Sequence, residues 1–598
     1  MTAAPGAPPD TTPDGTVLDG ASRALLVDAL DRWAAAAGGA AGARAALDGH
    51  PPPDGLADLA RLGLLTAHLP EHLGGGGGGV VAAAAVHERL AAGLVGGGYP
   101  ATVVAVGVLA EAGAEPDVVL GAGEGAAAAP ALVAPPGAVG LRAEPAGAGR
   151  RLVGRLPVVL GPADAPRALV RAVDVSDAEP APGLPGGGSA RWYLLDRGDL
   201  AATPLPPAAA IDGSRPLAEV AVDAVVPADR HLPGVDDATV DAHLVLAVAA
   251  ESTAITARCR DVAAHHAVTR HQFGRPIGQF QAVKHHVADL AVDAARAEAL
   301  LSALEAAWAG PARPAAVAAA ATAAELAVTA AATCIQVLGG IGFTWEHDAH
   351  LVLRRALQNR QLLGPAADRR IALGRLARQG EAGLAADGPG AEAATDLGIA
   401  RWVAPVIEAL GDADQRARWL PPLRSGQERW CQLFSEPDAG SDLASLTTRA
   451  VPDGPGWRIT GQKVWTSRAH EARWGLCLAR TSEAPRSRGI SCFVVDLHAP
   501  GVEVRPLRQL TGDARFNEVF LDAVAVPAGA LLGEAGRGWD AVQLCLAEER
   551  RGMAAMTFAD GGLDRLLAAA AAWAEPGDAL LGRLGARVAD ELAIRAMQ

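Results

Sequence analysis

The strongest constraint on this chain is a recurrence within it. Ile211-Asp-Gly-Ser-Arg215 leads into Val222-Asp-Ala-Val-Val-Pro227, and Thr511-Gly-Asp-Ala-Arg515 leads into Leu521-Asp-Ala-Val-Ala-Val-Pro527, offset by one residue within the strand. Each copy closes a stretch of short β-prone segments separated by Pro/Gly-rich turns, and each stretch is flanked by helical patterns. The order is therefore helix, sheet, helix, followed by a shorter helix, sheet, helix, which reads as a tandem duplication with the second copy truncated. At 598 residues the chain exceeds what one hydrophobic core organises, so several packed units are expected.

The pattern predicts a disordered tail over 1–20 and an N-terminal helical domain over 21–125, where Leu25, Leu26, Leu30 and Trp33 share one face and Leu56, Leu59 and Leu62 another. A degenerate β domain is expected over 126–235, a helical bundle over 236–378 and a Gly/Ala/Asp-rich linker over 379–395. An abbreviated second helical domain (396–432), a second β domain (433–535) and a truncated second bundle (536–598) complete the α+β multidomain reading.

Composition narrows the partners. Half the residues are hydrophobic and a fifth charged, the formal net charge is -15, and no Lys/Arg run offers the basic patch that nucleic acid requires. The six cysteines have no C-x-x-C spacing, so neither zinc nor a disulfide framework is indicated, no metal is expected, and a reducing cytoplasm fits. The apolar stretch Ala315 to Cys334 is mostly alanine and interrupted by Glu325, which suits a bundle helix better than a membrane span. The glycine run Gly74 to Gly79 lacks the Lys-Ser/Thr of a phosphate loop and reads as a turn.

Two segments in the second β domain carry chemistry. Phe434-Ser-Glu-Pro-Asp-Ala-Gly-Ser-Asp442 joins a strand end to turns that expose backbone N–H groups and hydroxyls. Gly461-Gln-Lys-Val-Trp-Thr-Ser467 sets an aromatic beside hydroxyl residues on a strand, enough to wall one face of a flat ring and bond its edge. In this order the two resemble the acyl-CoA dehydrogenase family, whose fold is an N-terminal helical domain, a small β-barrel or sandwich domain and a C-terminal four-helix bundle. The resemblance implies FAD as cofactor and an acyl-CoA as substrate. It sets Leu433, Phe434, Ser435 and Ser441 toward the flavin, with Ser441 also near the acyl-CoA, and packs Trp465 and Thr466 at the ring with Ser467 donating toward flavin N5. Arg468 stands where family members often have a small residue.

The first half resembles the family differently. Arg270-His-Gln-Phe-Gly-Arg-Pro-Ile-Gly-Gln-Phe-Gln281 and Gln336-Val-Leu-Gly-Gly-Ile-Gly-Phe343 match segments that in the family reach from a neighbouring subunit to the FAD pyrophosphate and adenosine. That implies cofactor contacts from Arg270, Gln272, Phe273, Gln281, Gln336, Gly339 and Gly340. The first β domain lacks both flavin-facing segments and the second bundle lacks an Arg-x-x-Phe-Gly, so one site shared by two fused halves is expected. The resemblance also implies a carboxylate that takes the α-proton of the thioester. In the first half the two family positions fall on Leu363 and close to Leu244, so that half is expected to be silent. In the second, Gly538-Trp-Asp-Ala-Val-Gln-Leu-Cys-Leu-Ala-Glu-Glu-Arg550 puts Glu549 on the base position, with Glu548 as rival and Arg550 on the substrate side. Glu346 and His350 read as structural or cofactor-side residues.

The expected activity is α,β-dehydrogenation of an acyl-CoA to trans-2-enoyl-CoA, with electron-transferring flavoprotein as acceptor and a homodimer of pseudo-dimers as the assembly. An acyl-CoA oxidase-like flavoenzyme and a non-catalytic binding or assembly protein on the same fold are the alternatives.

Overall fold

The computed structural model describes residues 20–50, 55–115, 118–119, 131–135, 140–175, 190–206, 210–384, 400–510, 512–557 and 562–597. The expected tail up to residue 19 and most of the expected linker lie outside the described residues. The chain forms two compact units, one from residues 1–385 with 567–598 and the other from 386–566.

In the first unit the helices Gly20–Ala36, Gly39–Leu47, Leu56–Arg61, Gly79–Ala92 and Tyr99–Glu111 precede a sheet. Leu30 and Leu59 are fully buried and Leu26 and Trp33 pack against the same core, but Leu25 and Leu62 are exposed. Leu62 departs from the expected face because the short helix ends at Arg61 and Leu62 is its C-cap. The sheet has seven strands, and its longest pair is Gly149–Leu160 against Leu217–Val226, antiparallel with a register irregularity between Leu156 and Val159.

The helix Asp237–Thr269 then runs for 33 residues. Asp236 caps it by accepting from the Thr239 amide, which satisfies one of the donors that a helix start leaves open. Val240, Leu244, Val248, Ile255, Cys259 and Ala263 repeat at helical spacing and are buried, the stripe that a bundle helix needs. Gln281–Ala307, Arg313–Ala320, Ala323–Leu338, Ala349–Leu363 and Ala366–Gln379 complete the bundle. By length and composition Asp237–Thr269 and the run Arg313–Phe343 could each cross a membrane, yet 72% of the apolar window of the first is buried inside the protein.

The last helix, Asp578–Met597, also packs in this unit. A Cβ at Gly374 would lie 2.1 Å from the Leu581 carbonyl oxygen, and one at Gly585 would lie 1.9 Å from that of Arg370, so glycine lets the two backbones touch. Arg296 to Asp590 at 2.5 Å and Arg375 to Asp578 at 3.0 Å add ion pairs. Residues 567–598, which the pattern assigns to a second bundle, are thus part of the first unit.

The second unit opens with Ala400–Leu410 and Ala413–Arg424, separated at Gly411 by a capping box between Asp412 and Gln415. An eight-stranded sheet follows, in which Gly456–Ser467 pairs antiparallel with Phe516–Val526 and Trp430–Leu433 runs parallel to Trp474–Arg480. Trp419, Trp430 and Trp474 cluster with centroids 6.1 to 6.2 Å apart on the core side. The helix Gly538–Thr557 packs its Ala541, Val542 and Cys545 into the same core.

The two sheets close in the same way. A Cβ at Gly149 would meet the Val226 oxygen at 2.2 Å, and one at Gly456 would meet the Val526 oxygen at 2.4 Å. Pro227 and Pro527 then lead into the short turns Ala228–Arg230 and Ala528–Ala530. The sequence recurrence therefore corresponds to a shared local geometry.

Candidate functional site

In the second unit the strand Trp430–Leu433 delivers Leu433 and Phe434 as buried residues and Ser435 at the surface boundary. The Val464 amide donates to the Ser435 carbonyl at 2.9 Å, which ties this segment to the strand Gly456–Ser467. A buried ion pair makes the second tie. Lys463, fully buried, donates to the Phe434 carbonyl at 3.1 Å and to Glu436 at 2.8 Å. Glu436 also accepts from the Thr447 amide and hydroxyl and from the Thr448 amide at 2.6 to 2.9 Å. Burial by itself would raise the Glu436 pKa, but Lys463 and these donors outweigh it and hold the carboxyl at about 2.

The strand carrying Lys463 then breaks register. Its pairing with Phe516–Val526 shifts between Lys463 and Thr466, a bulge that re-aims the side chains within it. Trp465 sits there with φ 57°, a left-handed conformation that costs a non-glycine residue ~1–3 kcal/mol and persists only where the surroundings impose it. Asn517 imposes it. Its amide donates to the Thr466 carbonyl at 3.0 Å and to the Arg515 carbonyl at 3.3 Å, its oxygen faces His470 Nδ1 at 2.9 Å, and the Arg468 amide donates to Arg515 at 2.7 Å. The result is an indole 64% exposed, edge-on to Phe516 at 6.2 Å, with the half-buried Ser467 following it. Thr466 is buried and its hydroxyl has no partner, and Ser441 stands exposed on the neighbouring turn.

Glu549 lies on the helix Gly538–Thr557, half-buried, one turn beyond Cys545. Gln432 donates to the Cys545 sulfur at 3.0 Å. Residues four apart share a helix face, so Glu549 prolongs the stripe that packs against the strand leading to Phe434. Glu548 is rotated from it by ~100°. The Arg550 side chain lies outside what the structure describes.

In the first unit Arg270, Gln272 and Phe273 lie on the connection between the helices Asp237–Thr269 and Gln281–Ala307, Gln281 opens the second of these helices, and all four are exposed. Phe273 is 91% exposed with φ 53°, and Phe280 receives the Arg275 guanidinium 4.2 Å from its centroid. Gln336, Gly339 and Gly340 end the helix Ala323–Leu338, exposed as well, with Gly339 at φ 67° and nothing within 4 Å of where a Cβ would stand on either glycine. Val283, next to Gln281, packs on the same cluster as Val337 and Leu338, so both loops project from one bundle. Exposed aromatics on ordered turns beside a guanidinium and amides suit a dinucleotide.

Among the described residues the first sheet carries its tryptophan, Trp192, buried at 1% exposure. Asp212 and Arg215 of the recurrent motif enter a buried ion network that sequence reasoning missed. Arg215 pairs with Glu251 at 2.5 Å and with Asn359 at 2.6 Å, Tyr99 donates to Glu251 at 2.9 Å, and Arg355 holds Asp212 and Ser214. Glu251 and Asp212 are pulled below the usual carboxylate range, because Arg215 and Arg355 overcome the burial that would raise them. Leu244 and Leu363 are buried in the surrounding apolar core. The available signal was Glu251, a lone acid within a run of buried apolar residues on its helix.

An exposed tryptophan on a constrained bulge, followed in the chain by Thr466 and Ser467, offers a flat ring such as a flavin an aromatic wall on a helical and β-sheet scaffold. Comparison with known proteins gives the family. The acyl-CoA dehydrogenase N-terminal domain model matches residues 22–116, the C-terminal domain model 243–377 and the middle domain model 431–524. The chain belongs to the acyl-CoA dehydrogenase family, whose cofactor is FAD. It is 37% identical to acyl-CoA dehydrogenase FadE34 of Mycobacterium tuberculosis over 458 residues, covering 64% of each chain. With acyl-CoA dehydrogenase IpdE1 of the same organism it shares 48% over 147 residues, 24% of this chain and 38% of that protein. Among solved structures it resembles the ChsE4-ChsE5 complex from Mycobacterium tuberculosis, with TM-score 0.51 and 27% identity over 59% of this chain and 96% of that one. The chain spans less than two thirds of the length of these curated relatives. The middle-domain match falls on the second sheet and the other two on the first half.

The residues present fit FAD. A large exposed indole is held at a strained backbone position, and the next residue, Thr466, keeps a buried hydroxyl without a partner.

Proposed function

We propose that the chain is a FAD-dependent acyl-CoA dehydrogenase with one working site, and that its two halves descend from a tandem duplication in which the first copy kept the dinucleotide-side loops and lost its own flavin face. Leu433, Phe434, Ser435, Trp465, Thr466 and Ser467 hold the flavin. Arg270, Gln272, Phe273, Gln281, Gln336, Gly339 and Gly340 hold the pyrophosphate and adenosine. When bound, FAD supplies the hydride acceptor.

Glu549 removes the α-proton of the acyl-CoA thioester, and trans-2-enoyl-CoA is the product. Ser441 and Arg550 are assigned to substrate binding by their match to the family's segments, and electron-transferring flavoprotein takes the electrons onward. The observation that supports the reading is the Gln432 to Cys545 bond, since Cys545 lies one helical turn before Glu549 on the same face. A carboxylate beside a flavin-facing strand is the base that this chemistry requires. The test is anaerobic mixing of the FAD-loaded protein with a panel of acyl-CoAs while following flavin bleaching. Glu549→Gln is expected to abolish bleaching while Glu548→Gln retains it; equal bleaching by Glu549→Gln and wild type would refute the assignment.

A further inference from the structure

A cavity of about 400 Å³ lies among the helices of the first unit, within the ~300–1,000 Å³ range of small-molecule sites. None of its lining residues belongs to the set that faces the cofactor. Leu69, Val80, Ala83, Ala110, Leu246 and Trp308 form apolar walls, and Gly77, Gly79 and Gly107 widen the floor. Gly107 lies inside the apolar helix Tyr99–Glu111, where glycine costs ~1 kcal/mol relative to alanine. A Cβ there would stand 2.7 Å from the His243 ring and 3.4 Å from His68 Nε2, so the glycine makes room for two imidazoles.

The polar end of the cavity is closed by a linked set of side chains. Arg313 donates to both Glu111 oxygens, at 2.5 and 3.1 Å, and His243 Nε2 meets Glu111 at 3.0 Å. Trp308 packs edge-on to His243 at 5.0 Å and beneath the Arg313 guanidinium at 4.1 Å. Burial tends to raise the Glu111 pKa, but His243 and Arg313 hold it at about 2. Burial lowers both His243 and His68, the latter to about 3. At neutral pH the end therefore carries one carboxylate, one guanidinium and two neutral imidazoles, which sum to zero charge. His68 is 8% exposed, and neither ring nitrogen has a hydrogen-bond partner, a deficit of ~1–3 kcal/mol for a buried polar group.

We propose that this cavity is a second small-molecule site, separate from the acyl-CoA site, and that it takes an uncharged, largely apolar molecule ending in a hydroxyl or carbonyl. The body fills the Leu69, Val80, Leu246 and Trp308 walls. The end group reaches the Glu111 and Arg313 pair and, after a small turn of the His68 ring, supplies the partner that His68 lacks. A charged end group is disfavoured, since the pair is already neutral and the imidazoles stay uncharged.

The test is calorimetric titration of the full FAD-loaded chain with 1-octanol, with octanoate as the charged comparator. Expected are saturable one-to-one binding of octanol, binding of octanoate weaker by about tenfold or more, and loss of octanol binding in Ala83→Leu, which fills the cavity, at an unchanged melting temperature. If Ala83→Leu does not fold, Leu246→Trp takes its place. Octanol binding that is non-saturable, that survives the filled cavity, or that is matched by octanoate would overturn the proposal.

Discussion

The buried pair between Lys463 and Glu436 should control both the stability of the second unit and its hold on FAD. In Lys463→Met the Glu436 carboxylate remains buried with only the Thr447 and Thr448 donors. Removing one member of a buried pair costs ~3–5 kcal/mol. The Glu436 pKa, lowered from the ordinary 4.5 to about 2, has the same sign, and part of that shift comes from the Thr447 and Thr448 donors that stay in place. For a unit of this size a loss of ~3–5 kcal/mol lowers the melting temperature by about 6–20 °C. Flavin retention should fall too, because Lys463 also anchors the Phe434 carbonyl beside Ser435.

The sign of the pH dependence follows from the same shift. The folded pKa lies below the unfolded one, so the contribution is complete above about pH 4.5 and disappears as pH falls toward 2. Thermal unfolding followed from pH 7 to pH 3, with the flavin-to-protein absorbance ratio after gel filtration, reads both effects. Glu436→Gln should flatten the acid limb. If Lys463→Met and Glu436→Gln melt and retain FAD as wild type does, the tether is not what positions this face.

Two further outcomes are expected. Trp465→Ala should lower FAD retention while leaving the melting temperature within a few degrees of wild type, because the indole is exposed and contributes little to the core; thermal melts paired with flavin absorbance check this. Arg215→Met should destabilise the first unit by ~3–5 kcal/mol by leaving Glu251 buried without its hydrogen-bonded cation, whereas the double variant with Glu251→Leu should recover much of that loss, measured by denaturant unfolding.

What the sequence made legible was whatever depends on local order. The strand Leu217–Val226 shows the alternating burial of a half-buried strand, and the Phe434 to Asp442 and Gly461 to Ser467 segments are joined on one sheet, as their order suggested. Features set by distant partners were hidden. The bulge that turns Trp465 outward depends on Asn517, and the role of Lys463 depends on a glutamate 27 residues earlier. The Arg215 and Glu251 network joins residues 36 apart in sequence and draws in Tyr99 and Arg355 from further away. The docking of Asp578–Met597 on Ala366–Gln379 depends on Gly374 and Gly585, glycines that look unremarkable in their helical patterns.

The single-site claim is tested most directly by anaerobic titration of the purified full chain with acyl-CoA, combined with FAD quantification. One FAD per chain is expected, fully bleached by one equivalent of a good substrate, with bleaching lost in Glu549→Gln while the FAD content is unchanged. Two FAD per chain, or undiminished bleaching in Glu549→Gln, would contradict it.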